Sequence, residues 1–418
     1  MQNLGHVRGD TSNSGAPGRN LRDSGRPGPN GAGLNSAGRS EPQRKSRGTF
    51  VRVLFALAAL ALGLGATELL SRDEEHPAAG AMQAAARRMA RAERAVAEKK
   101  RSLGIDIDPA LDPYRTGLIG VETSMLTTTV GDIVAKRTTT NTAFAALVVR
   151  YFHELGLKPG DRIAVGSSGS FPGSLLAVLS ACAETGVEPV VITSIGASEY
   201  GANIEGLSNA EMMAACRESG ALPYMPAAIS PGADGDLGIS SLYRFEPSDE
   251  LAQYARSTAR ALDVPFILGK NAEDSYAAHL EVYRKAAPIK AFVNIGGADV
   301  NFGSGPASLK LKPGLILPSS RNSRVAPGGF RGEGAAEAAE ASTDGREGLI
   351  GYYLARGIPV LHFLNIKGLA LQSGIPVDGD PEAPIPFEIL HTREKPKWTL
   401  ALGLLLAGAA LAIRKPLG

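Results

Sequence analysis

Residues 162–193 read RIAVGSSGSFPGSLLAVLSACAETGVEPVVIT. The run from Arg162 to Val165 is a short buried strand, the glycines and serines that follow turn the chain, Ser170 to Thr185 is helical, and Pro189 to Thr193 is a second strand. Strand, turn, helix and strand in that order form a βαβ unit, whose strands lie parallel. Outward from it the alternation continues. Helices are expected at 210–218, 247–262, 273–286 and 346–355, with Ser248 and Glu250 starting the second of them, and strands at 264–268, 290–295 and 359–364. The fold class is therefore α/β, a mostly parallel sheet with helices on both faces, and the loops after its strands should line one crevice at the strands' C-terminal ends. Residues 303–343, rich in Gly, Pro and Ser, interrupt the alternation as a flap or insertion. Arg321, Arg324 and Arg331 within it are either anion contacts or solvated.

Two apolar runs, 53–67 and 398–413, bracket this domain, and neither has a polar face to set against a core. They are expected as two transmembrane helices, at 50–70 and 398–413, flanking an extracytoplasmic domain at 103–392. Arg44, Lys45, Arg47 and Arg52 precede the first run while Arg72 follows it among Asp73, Glu74 and Glu75. That bias puts the N-terminus in the cytoplasm, and a second span returns the C-terminus there. The match of Gly63, Gly65 and Ala66 to a signal-peptide cleavage site is poor, which favours an uncleaved anchor in the cytoplasmic membrane. Residues 1–48, nearly devoid of large apolar side chains, are expected to be a disordered cytoplasmic tail. Residues 81–102, with Met82, Met89 and Val96 among many Ala, Arg, Glu and Lys, suggest a solvated juxtamembrane helix.

A net charge of +2 over 418 residues, with both signs interspersed, gives no basic field for nucleic acid. Cys182 and Cys216 sit among small apolar residues without metal-ligand spacing, so buried thiols are favoured over a disulfide. No metal or cofactor is expected. Asp106, Asp108 and Asp112 have Pro and Gly neighbours and read as turn formers before cation ligands.

The chemistry-bearing segments are few. At the first strand's end, Gly166, Ser167, Ser168, Gly169 and Ser170 lead into a helix, and their N–H groups and hydroxyls would cradle a carboxylate or phosphate. A tight turn capped by Ser is the equally weighted alternative. The loop lacks the Gly-Lys-Ser/Thr ending of a Walker loop, and position 170 is Ser where a Gly-x-Ser-x-Gly elbow needs Gly. A second cluster, Thr138, Thr139, Thr140 and Asn141, follows Lys136 and Arg137 at an expected helix start, more hydroxyls than one cap requires. Later strands offer Ser194, Ser198, Glu199 and Asn203, then Asn294, Gly296, Gly297 and Asp299. His362 lies within the last strand, where packing is commoner than catalysis.

Several of these segments together resemble one family. The series Thr116-Gly-Leu-Ile-Gly-Val-Glu, Leu126-Thr-Thr-Thr, Ala135-Lys-Arg-Thr-Thr-Thr-Asn, Val165-Gly-Ser-Ser-Gly-Ser-Phe-Pro-Gly, Thr193-Ser-Ile-Gly-Ala-Ser-Glu-Tyr-Gly-Ala-Asn and Asn294-Ile-Gly-Gly is similar to the membrane-associated poly-γ-glutamate system proteins, over about Asp112 to Leu369. The resemblance implies a partner of the poly-γ-glutamate synthase and membrane subunits, acting on an anionic polymer of glutamates joined through side-chain carboxyls. It implies no catalytic residues. Three functions follow as expectations. The first is a non-synthetic component of polymer production or export that binds or guides the chain. The second is an amide hydrolase or transferase with Ser168 or Ser170 as nucleophile and Glu199 or His362 as base. The third is a domain for a small anion or phosphosugar.

Overall fold

The computed structural model describes residues 43–240, 249–303, 311–318 and 348–413. The chain divides into two compact units, one of Glu68–Pro396 and the other holding the two terminal apolar helices.

In the larger unit, β1 (Arg72–Glu75) and α2 (Ala79–Ser102) lead to β2 (Thr127–Thr129), α3 (Ile133–Thr138) and α4 (Ala143–Glu154), α1 being the N-terminal apolar helix (Gln43–Leu69). The quoted βαβ unit follows as β3 (Arg162–Ser167), α5 (Pro172–Thr185) and β4 (Glu188–Ser194). Next come β5 (Ala197–Ser198), α6 (Asn209–Glu218), β6 (Ala228–Ser230), α7 (Glu250–Ala261), α8 (Ala272–Lys285), β7 (Ile289–Ile295) and α9 (Asp299–Phe302). The series ends with β8 (Gly314–Ile316), α10 (Gly348–Ala355), β9 (Val360–Phe363), α11 (Ile366–Gln372), α12 (Phe387–Leu390) and β10 (His391–Glu394), before the second apolar helix α13 (Lys397–Ala412).

The central sheet has the order β6-β4-β3-β7-β9-β8, parallel except for the edge strand β8. From β3 the chain steps outward through β4 to β6, then returns to the other side of β3 for β7 and β9. This is doubly wound, with its topological switch point between β3 and β7. Register aligns the strand ends: Ser167 pairs with Thr193 and with Ile295, Ser194 with Ser230, and Ile295 with Phe363. The following loops consequently leave along a single edge.

Alternation along the strands separates two cores. Ile163, Val165, Val191, Val293, Leu361 and Phe363 face α4 and α5, whereas Ala164, Ile192, Phe292 and Val360 face α8 and α10. On the first side the packing is three layers deep. Helix α5 is buried from Pro172 through Cys182 and needs a cover beyond the sheet, which α2 supplies through Met82, Ala85, Met89, Ala92 and Val96. The expectation of a solvated helix at 81–102 is corrected accordingly: its arginines mark one face only, and its small alanines let it lie close to α4 and α5. Cys182 and Cys216 are free and buried in this core.

Other expectations shift less. The strand at 264–268 is reduced to one bridge between Phe266 and Ile229, and the short strands β2, β5, β6 and β8 carry too few residues to show a period. Asp108 and Asp112 do form turns, accepting from the N–H groups of Ala110, Thr116 and Gly117 at 2.7–3.0 Å. Of the tail expected at 1–48, residues 43–48 instead open helix α1, while residues 1–42, Ser248, and Arg321, Arg324 and Arg331 lie outside the described residues. An antiparallel clasp, β1 with β10, had no clear signal; it sets Asp73 opposite Arg393 beside a cluster in which Glu68 meets Arg393 and Lys395 at 3.0 and 2.8 Å.

In the second unit, Thr49–Leu69 of α1 has a mean hydropathy of 2.0 and is long and apolar enough to cross a membrane. At 16 residues, α13 spans about 24 Å, short of a ~30 Å hydrocarbon core. The two pack glycine to glycine: a Cβ on Gly63 would stand 2.9 Å from the Gly403 Cα, and the hydroxyls of Thr67 and Thr399 bond at 2.6 Å. Close small-residue crossings of this kind suit helices that associate without a hydrophobic drive.

Candidate ligand-binding cleft

At the C-terminal edge of the sheet a cleft of about 360 Å³ opens. Loops after five strands line it: Ser168 and Ser170 after β3, Gly196 and Ser198 after β4, Asp234 and Asp236 after β6, Gly297 and Asp299 after β7, and Asn365 and Lys367 after β9. Thr128 to Asp132 and the start of α3 close one side. This is where a doubly wound sheet leaves room for a ligand, since β3 and β7 send their loops in opposite directions.

The switch point is held by a close approach. Gly296, at φ +81°, sits where a Cβ would fall 2.1 Å from the Ser168 Oγ. Gly296→Ala should therefore cost about 2 kcal/mol and displace Ser168, because alanine is strained at positive φ and the serine cannot stay. Urea unfolding measures the loss; unaltered stability would show that the loop relaxes freely.

The cleft carries both charges. Lys136, at 2% exposure, extends from α3 so that its Nζ donates to the Ser170 carbonyl and meets the Ser198 hydroxyl, each at 2.5 Å. It also lies over the Phe171 ring, 4.1 Å from the centroid. Burial pulls its pKa down to about 7, against the opposing pull of the Asp132 and Glu199 carboxylates. Asp132 caps α3 by accepting from the Val134 and Ala135 N–H groups and pairs with Lys367 at 2.5 Å, which holds its carboxyl below the usual range. On the other side, Asp236 accepts from Ser230 and Gly232, and Asp299 accepts from the Gly235 N–H at 2.7 Å. Burial raises the pKa of both. Among the described residues no group of His, Cys, Asp and Glu is placed to hold a metal ion. Amines and hydroxyls facing carboxylates suit a small ligand that bears both a carboxylate and an amine or amide.

Of the residues expected to bind, Ser168, Ser170 and Gly297 line the cleft. Thr138, Thr139, Thr140 and Asn141 do not. They link α3 to α4, and the three threonine hydroxyls donate back to the carbonyls of Val134, Lys136 and Arg137 at 2.6–2.8 Å. The Asn141 amide donates to the Asp380 carbonyl, and a Cβ on Gly173 would fall 2.4 Å from the Thr139 carbonyl oxygen. The surplus of hydroxyls is thus spent within a buried joint against the start of α5. Arg137 turns away to a two-point ion pair with Asp378 at 2.5 and 2.6 Å.

Gly166, Ser167, Gly169, Asn294 and Gly296 lie behind the lining as supports. The Gly166 carbonyl accepts from Asn301, Ser167 accepts from Asn209, the Gly169 N–H donates to the Gly196 carbonyl, and the Asn294 amide donates to the Gly296 carbonyl. His362 is 1% exposed, packs on Phe302 and meets Asn294 through Nδ1, with burial lowering its pKa to about 4. Glu199 accepts from the Gly131 N–H at 3.0 Å. The Ser168 hydroxyl is set between the Ile295 carbonyl and the Ser170 N–H, and the Ser170 hydroxyl accepts from the Ser198 N–H. His362, one of the two bases expected for these serines, is instead engaged with Asn294 and Phe302. Among the serines that line the cleft, Ser198 meets the Lys136 ammonium nitrogen.

Sequence reasoning passed over Asp234, Asp236, Asn365 and Lys367, and took Lys136 only as a helix-end charge. The usable signal was position, since Asn365 and Lys367 directly follow the last parallel strand; Asp234 and Asp236 follow β6, three residues long. The chain matches no protein-family model, no curated protein and no solved structure.

Proposed function

We propose that the protein is a membrane-anchored, non-synthetic component of poly-γ-glutamate production or export, and that its cleft takes hold of the γ-glutamyl chain. The observation that carries this reading is the cleft's make-up: Lys136 and Lys367, with Asp132 paired to the second, beside serine hydroxyls on one side, and Asp234, Asp236 and Asp299 on the other. A γ-linked glutamate unit offers a carboxylate to the first and amide or terminal amine hydrogens to the second. The ordered motif series supports the polymer assignment, and the lack of a Walker loop leaves ATP-dependent ligation to the synthase. The long apolar helix α1 supports a membrane anchor, its glycine contact with the shorter α13 supports reading α13 as a second span, and the basic residues before α1 favour cytoplasmic termini and an extracytoplasmic domain.

Deleting the gene in a producing strain should lower the amount or length of cell-associated polymer while the synthase's own ATP-dependent ligation stays measurable. Unchanged polymer rejects the reading. The orientation has a separate test. Glu281→Cys, on the exposed side of α8, should react with a membrane-impermeant thiol reagent in intact cells, the native cysteines being buried with raised pKa values. Labelling only after lysis places the domain in the cytoplasm.

A further inference from the structure

The pairing of Lys136 with Ser198 is more than a packed lysine requires. A buried ammonium that only tied α3 to the sheet would be served by carbonyl oxygens, which accept and never donate. Here one nitrogen meets one carbonyl, that of Ser170, and one hydroxyl, that of Ser198, and the hydroxyl lines the cleft. Its placement is rigid: Ser198 lies in β5 alongside Thr129, its N–H donates to the Ser170 Oγ, and the Lys136 chain is sealed over Phe171. We infer that Ser198 is an acyl-accepting nucleophile and Lys136 its general base, forming a serine–lysine pair for a carboxamide donor. The inference deepens the function proposed above, on which the identity of the donor, a γ-glutamyl amide, rests.

The chemistry balances within the cleft. Neutral Lys136 keeps one N–H on the Ser170 carbonyl and presents its lone pair to the Ser198 hydroxyl. As Oγ attacks the amide carbon, the hydroxyl proton passes to Nζ; the C–N bond then breaks, and the leaving amine takes that proton from Nζ. The acyl–Ser198 ester is released by water: Lys136 takes one proton from the attacking water and returns it to the Ser198 oxygen, and the carboxylic acid formed gives its remaining proton to solvent as the free carboxylate. An incoming amine in place of water gives transfer. Burial keeps a substantial fraction of Lys136 neutral near pH 7, since its pKa lies at about 7. The charged groups around it are Asp132 at the head of its own helix, Glu199 beyond β5, Lys367 on α11 paired to Asp132, and Asp234, Asp236 and Asp299 lining the same cleft.

A fluorophosphonate probe reads the pair without knowledge of the substrate, because serine attack at phosphorus expels fluoride. The full chain, purified in detergent, should gain one adduct, mapped to Ser198, at a rate that rises with pH through about 7 and then levels. Ser198→Ala should abolish the adduct. Lys136→Met should slow it by about 100-fold or more and remove the inflection near pH 7. Ser198→Ala removes only a hydroxyl, so the test stands if Lys136→Met fails to fold. No adduct, an adduct that survives Ser198→Ala, or a rate indifferent to Lys136→Met overturns the pair. The second arm adds γ-glutamyl oligomers and counts new amine ends. An adduct at Ser198 with the oligomers left intact overturns the donor and spares the pair, whereas no adduct alongside polymer loss in the deletion strain overturns the pair and spares the function.

Discussion

Phe292→Ala is expected to lower the stability of the protein by about 4 kcal/mol, the range for deleting a buried aromatic ring. The ring is fully buried in the middle of β7 on the α8 and α10 side of the sheet. It stacks on Tyr353 at 4.9 Å and 16° and meets the edge of Tyr283 at 6.2 Å and 74°. Tyr283 in turn donates its hydroxyl to the Val165 carbonyl at 2.8 Å. The cavity would therefore open between the two strands that flank the switch point, with little freedom to collapse. Since β7 delivers Gly296 and Gly297 to the cleft, labelling at Ser198 should fall along with stability, while Phe292→Leu restores most of both. Urea unfolding of the full chain measures the difference. A loss below about 1 kcal/mol would mean that this side of the sheet is not packed as described.

The sheet was readable because its inner strands are apolar on both faces and separated by helices of the right length. Arg162–Ser167, Glu188–Ser194 and Ile289–Ile295 lie within a few residues of where the apolar runs put them. The crevice followed from that, as parallel strands must send their loops to one edge. What the pattern could not show was which polar residues face the ligand. The threonine run 138–140 and the serine run 167–170 look alike as sequence, yet the first closes on its own backbone while Ser168 and Ser170 of the second open on the cleft. The difference lies in tertiary placement, since Thr139 is packed against Gly173 while Ser168 and Ser170 line the open cleft. Lys136 and Arg137 illustrate the same limit. Adjacent residues on a helix diverge by about 100°, so one charge is buried against Ser198 and the other paired at the surface loop of Asp378.

Helix α2 misled for a different reason. Alanine buries well but weighs little in a hydrophobic pattern, so a helix of Ala, Arg, Glu and Lys reads as wet even when Ala85, Ala92 and Val96 are sealed against α4 and α5. The sharper clue was α5, apolar all round and therefore in need of a cover that the sheet alone could not provide.

The same burial makes Glu93 a test of that helix. Its carboxyl is taken into the core with 5% exposure, and its Oε1 finds no hydrogen-bond partner among the described residues. Burial raises its pKa well above the ordinary carboxylate value, the neighbouring Asp112 and Glu382 carboxylates add to the rise, and Arg94 opposes it. A carboxyl that holds its proton more tightly when folded favours folding below the unfolded pKa of about 4.5 and loses that advantage as pH climbs toward the folded value. Glu93 should therefore weaken the protein progressively from about pH 4.5 upward. Glu93→Gln keeps the shape and removes the ionisation. The variant should match the parent near pH 4.5 and exceed it at pH 8, by about 2–4 °C in melting temperature for each kcal/mol released. Asp236 and Asp299, also raised by burial, leave a residual slope in both proteins, so the reading is the difference between the two melting curves. If Glu93→Gln melts lower at every pH by the same amount, the carboxyl serves a contact that the amide cannot replace. If the two pH profiles superimpose, Glu93 is solvated and α2 lies on the surface.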